Sequence, residues 1–217
     1  EQRRGGAALS CSSCSSSHLT RARTCGPPLL VRFMPEGSLK IAVVSTQRGA
    51  CATLNSFLHW HLRGAGFDHC FLYLDAPDED STRALQIAQP YASQVTVLMA
   101  DQAFRERESY SELPSWPDVE AVFATQVQPR QRLNCEHCLR LCASAGIRWL
   151  LHIDSDELFL PADGEDAHAH FHRLEAAGTW QFTYRNLESL PSRSSRDASN
   201  DCASSDSDVF KSVSLFK

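Results

Sequence analysis

Along this chain, short runs of consecutive apolar residues alternate with longer stretches in which apolar positions recur every three or four residues. The first pattern marks strands buried on both faces of a sheet, and the second marks amphipathic helices. Strands are predicted at Lys40–Ser45, Cys70–Leu74, Gln94–Met99, Arg148–Ile153 and Trp180–Tyr184. The helical period occupies Leu54–Arg63, Thr82–Gln89, Val119–Ala145 and Ala167–Ala177. Ser81 is placed to cap the second of these, Pro129 to interrupt the third, and Gly146 to stop it. From Asp101 to Pro117 charge and proline erase the period, which reads as a surface excursion. Strands alternating with helices predict an α/β fold with a mostly parallel central sheet flanked by helices.

Composition divides the chain without changing that picture. Residues 1–38 are rich in Ser, Cys and Pro and cannot bury enough apolar area to offset their ordering entropy, so they read as a disordered tail or linker. Residues 39–217 read as a single domain, with 188–208 a mobile low-complexity insertion. The chain begins at Glu1, and Val209–Lys217 reads as a strand cut off in mid-element; a fragment is expected, with any membrane contact made through a segment outside it. With 42% hydrophobic residues among 217, a sizeable core can form, and no apolar run is long enough to span a bilayer. A net charge of −5 lacks the basic face that a nucleic-acid partner requires.

The apolar run at Trp149–Ile153 ends abruptly in Asp154, Asp156 and Glu157 before Leu158 and Phe159 restore apolarity. Ligands of open α/β sheets bind beyond the carboxyl ends of the strands, where these carboxylates fall. On an extended chain Asp154 and Asp156 would share one side, offering two hard oxygen ligands to one divalent cation. A solvated turn is the competing reading; against it, three carboxylates in four residues repel one another unless a cation gathers them.

Ile153–Leu158 resembles the Asp-x-Asp motif of nucleotide-diphospho-sugar transferases with the GT-A fold, in particular the family-2-like and family-92-like glycosyltransferases. The strand Lys40–Ser45, the stretch Phe57-Leu58-His59-Trp60-His61-Leu62, Gly66-Phe67-Asp68-His69 and the strand to Leu74 follow that group's order, so the likeness spans roughly Lys40 to Tyr184. It implies a Rossmann-like sheet, a nucleotide-sugar donor, Mn2+ or Mg2+, and a carbohydrate or glycoconjugate acceptor. It also implies a Golgi or other secretory-pathway membrane setting. Carried over by position, Asp156 becomes the direct metal ligand, Asp154 a contact to ribose or to the metal, and Glu157 a supporting residue. Asp75, just past the second strand, would read the base or ribose. Ser45-Thr46-Gln47-Arg48 lies where the family meets the base, so Thr46 and Arg48 join the nucleotide candidates. The chain departs from the family in having Arg48-Gly49 where an Asn-Glu pair is common, although a guanidinium suits a phosphate. No catalytic base is assigned. A glycosyltransferase-like domain without activity, and an Asp-x-Asp phosphoryl-transfer hydrolase, remain alternatives.

Two other groupings read as packing. Cys135, Cys138 and Cys142 fall with Leu139 on one helical face, as small hydrophobes would, and an odd total of nine cysteines rules out a complete disulfide framework. Cys11, Cys14, Cys25 and His18 approach a zinc-knuckle spacing without a matching ligand pair. His168, His170 and His172 read as a polar surface, and Trp60 and His61 as packed under the sheet.

Overall fold

The computed structural model describes residues 38–48, 53–75, 79–161, 165–185, 189–191 and 213–215. Residues 1–37 and most of the 188–208 segment lie outside them.

Four strands form one all-parallel sheet: β1 (Ile41–Gln47), β2 (His69–Asp75), β3 (Val95–Ala100) and β4 (Trp149–His152), in the order β3-β2-β1-β4. The two central strands show what burial on both faces demands. All of β1 is buried, as is β2 from Cys70 onward, whereas the outer strands β3 and β4 are mostly half-exposed. Side chains of β1 alternate between the two faces. Ile41 and Val43 join Leu72, Leu74, Phe57 and Phe171 in one core, while Ala42 and Val44 join Phe71, Tyr73, Leu133 and Cys138 in the other.

Helices α1 (Leu54–His59) and α2 (Glu79–Ala88) lie in the loop order expected, and α1 leads into a π-helical turn, Trp60–Gly64. The predicted excursion is instead helical: α3 (Gln102–Arg107), a 3-10 turn at Tyr110–Glu112 and α4 (Trp116–Phe123). Its caps explain it. Asp101 accepts from the Phe104 N–H at 2.7 Å, and Pro117 falls in the first turn of α4 where its missing N–H costs nothing. The long helix α5 (Val127–Ala145) starts just before Pro129 rather than being broken by it. It ends as predicted at Gly146, whose φ of 69° is left-handed, with the Ile147 N–H donating to the Cys142 carbonyl. Helix α6 (Ala167–Ala176) is capped by Asp166.

Two further expectations are corrected. Ser81 lies inside α2 and is buried rather than capping it. Trp180–Tyr184 forms no strand; Phe182 and Tyr184 pack against His170 instead, and Trp180 is exposed. A short antiparallel pair, β5 (Ser189–Pro191) and β6 (Val213–Leu215), completes the described elements. Among the described residues no helix is long and apolar enough to cross a membrane.

Candidate functional site

β1 neighbours β2 on one side and β4 on the other, so successive connections run in opposite directions from it. That reversal opens a crevice outside the carboxyl ends of β1 and β4, the place where open α/β sheets bind ligands. The register puts Gln47 beside Leu74 and Val44 beside His152, so Thr46, Arg48, Asp75 and the 154–157 segment stand along one edge.

Asp154 and Asp156 are exposed beyond β4. The chain between them turns at Ser155 and Asp156 instead of running extended, so strand alternation does not relate the two carboxylates. The turn is closed twice between the same residues: the Glu157 N–H donates to the Asp154 carbonyl at 3.1 Å, and the Asp154 N–H to the Glu157 carboxylate at 3.0 Å. Asp154 also accepts from the Gln131 amide at 2.7 Å. Asp156 is exposed and makes no side-chain hydrogen bond to the described residues. His152, two residues before Asp154, is the exposed last residue of β4.

Asp75 is 2% exposed and sits between two guanidiniums. Arg105 donates to one carboxylate oxygen and Arg130 Nε to the other, the latter at 2.7 Å. Arg130 also donates to the Phe123 carbonyl at 3.0 Å, tying the end of α4 to the clasp. Two guanidiniums against one carboxylate leave one positive charge at the sheet edge. Neither arginine is legible as a site residue from local sequence, because they reach Asp75 across 30 and 55 positions.

Thr46 points to the α5 face, where its hydroxyl accepts from Asn134 at 3.0 Å; Asn134 in turn accepts from the Tyr110 hydroxyl at 2.9 Å. Alongside, the Tyr73 hydroxyl and His137 Nδ1 are 2.7 Å apart, and burial pushes the tyrosine up and the histidine down, so both stay neutral. Arg48 is exposed at the end of β1. On the opposite face Gln47 is 4% exposed, and neither atom of its amide finds a partner among the described residues; the same is true of the Ser45 hydroxyl. Buried amides are nearly always paired, so Gln47 is a further candidate at this crevice, legible only as part of the Ser45–Arg48 segment.

The cysteine face is partly as expected. Cys138 and Cys142 are buried among apolar neighbours and Cys135 is half-buried, all as free thiols, but Leu139 is 53% exposed and belongs to another face. Burial pushes Cys135 up to about 11 and Cys138 higher still, which keeps both protonated. Among the histidines, His172 is exposed, but His170 is buried rather than on a polar surface, 2.8 Å from the Tyr184 hydroxyl. No group of three or more His, Cys, Asp or Glu suited to a metal occurs among the described residues.

The sheet order and the crevice beside β1 define a Rossmann-like α/β domain. No family model, curated protein or solved structure matches the chain.

Proposed function

We propose that this domain is a metal-dependent glycosyltransferase of the GT-A kind, moving a sugar from a nucleotide-sugar donor to a hydroxyl on a glycan, protein or lipid acceptor. The observation that carries the reading is the exposed pair Asp154 and Asp156 in a closed turn beside the β1–β4 crevice. Their hard oxygens suit Mn2+ or Mg2+, with Asp156 exposed and unbonded among the described residues and Asp154 keeping one oxygen off Gln131. Such a cation, once bound, neutralises charge on a departing nucleoside diphosphate.

The chain's own groups support that chemistry. Arg48 offers a planar donor fork for a phosphate at the end of β1. The surplus positive charge of the Arg105–Asp75–Arg130 clasp favours an anion along the same edge. Asp75 contributes mainly by holding these arginines, since both its oxygens are already engaged. The unpartnered Gln47 amide supplies an NH2 donor group and a carbonyl acceptor to a polar ligand.

The test is thermal denaturation with manganese and a nucleoside diphosphate. Together they are expected to raise the melting temperature by mass action, and Asp156→Ala is expected to abolish the rise. An undiminished rise in that variant removes the turn from the site. A domain that binds without transferring, the reading favoured by Asp75's engagement, would give the same shift but release no sugar from the donor.

A further inference from the structure

Phe159 lies three residues past Asp156, and both polar groups of its backbone are held by side chains from the π-helical turn at Trp60–Gly64. Trp60 Nε1–H donates to the Phe159 carbonyl at 2.8 Å, and the Phe159 N–H donates to His61 Nε2 at 3.2 Å. The π turn is closed by the Ala65 N–H on the Trp60 carbonyl at 2.7 Å. Gly64 allows the indole to lie there, because a Cβ at that position would come within 3.0 Å of its ring.

The protonation of His61 is forced by its partners. Nδ1 is 2.8 Å from the Phe57 carbonyl, which can only accept, so Nδ1 carries the proton and Nε2 is left bare as the acceptor that the Phe159 N–H needs. The rings of Phe57 and Phe67 lie against the imidazole, and no charged side chain among the described residues pairs with it. On its other side the acidic turn hangs from the sheet through the Ile153 N–H on the Val44 carbonyl at 3.3 Å. Asp154 to Leu158 therefore run between two fixed peptides, with the Thr53 hydroxyl on the Ser155 carbonyl at 3.2 Å and the Gln131 amide on Asp154 as further holds.

We infer that Trp60 and His61 are positioning residues for the acidic turn: by gripping the Phe159 peptide they set where Asp154 and Asp156 stand beyond the sheet edge. The functional importance of that placement rests on the glycosyltransferase reading, whereas the grip on Phe159 does not. Groups that orient metal-binding carboxylates from behind characteristically change metal affinity without touching the ion.

The experiment follows amide hydrogen exchange and manganese affinity in the full chain. Trp60→Phe keeps a ring and removes the N–H donor; His61→Leu removes the acceptor, and His61→Gln returns an acceptor near the Nε2 position. Trp60→Phe and His61→Leu are each expected to speed exchange over residues 154–160 while β1 and β2 stay protected, with manganese affinity in the presence of a nucleoside diphosphate falling about tenfold. His61→Gln should recover part of both losses. Unchanged exchange over 154–160, or an acceleration spread evenly over the whole sheet, overturns the inference. If the unaltered protein binds no manganese with nucleotide, the functional reading fails while the exchange data still decide the clamp. If His61→Leu does not fold, Trp60→Phe decides it.

Discussion

Arg130 and Gln131, consecutive residues in the first turns of α5, reach the two acidic positions of the sheet edge separately: Arg130 bonds Asp75, the last residue of β2, and Gln131 bonds Asp154 past β4. One helix start therefore spans the crevice and couples its two sides. Because Asp75 is 2% exposed, Arg130→Ala leaves a buried carboxylate with one of its two partners. The expected cost is about 3 kcal/mol, the scale for breaking a buried ion pair from one side. Urea melts measure it, and a loss well under 1 kcal/mol would mean that Arg105 alone satisfies Asp75.

His61 makes stability depend on acid. Burial lowers its pKa from 6.5 to about 4, so between these values the unfolded chain takes up a proton that the folded chain refuses. Its contribution is intact above pH 6.5, declines as the pH falls toward 4, and levels off below; integrated over the shift it is about 3 kcal/mol. Denaturant melts at pH 7 and pH 4.5 should show a smaller drop in His61→Phe than in the unaltered protein. Equal drops in the two would show that His61 is not the group responsible.

Gln47 should trade stability against binding. Its buried amide lacks partners among the described residues, so Gln47→Met is expected to leave the ligand-free domain as stable or to gain about 1 kcal/mol, since an unmet polar group costs roughly 1–3 kcal/mol. The same change should weaken nucleotide binding measured by calorimetry. Destabilisation without any change in binding would mark Gln47 as a structural residue.

The buried thiols should be silent in the native state. Cys138 and Cys142 are expected to react with thiol reagents only on unfolding, and Cys138→Ala to cost about 1 kcal/mol for the small apolar volume removed. Cys138→Asp should cost far more, because it buries a charge in the core cluster beneath the sheet. Rapid native labelling, counted by mass spectrometry, would contradict this.

Much of the scaffold was legible because burial on two faces leaves its mark residue by residue. The strand reading at Lys40–Ser45 differs by a residue or two from β1 at Ile41–Gln47, and Cys70–Leu74 lies inside β2 at His69–Asp75. The misreadings arose where one signal has two physical uses. Alternating apolar residues at 180–184 are satisfied by packing of Phe182 and Tyr184 on α6 rather than by a ladder. The charge and proline between Asp101 and Pro117 suit a surface excursion, yet Asp101 and Pro117 begin helices. The acidic turn could be located from its sequence, but its surroundings could not. Gln131 comes to it only through tertiary folding, as Arg105 and Arg130 come to Asp75, and so does the grip of Trp60 and His61 on Phe159.

The place of β4 in the sheet dictates an order of assembly. β1, β2 and β3 follow one another through single crossovers, but Ile41 must wait for Trp149 before its second flank is paired. Closing so long a loop carries the larger entropic cost, so the three-strand unit is favoured to form earlier, during synthesis or refolding. The sheet edge between β1 and β4 is then completed last, and a nascent chain ending before Trp149 would hold three of the four strands without that edge.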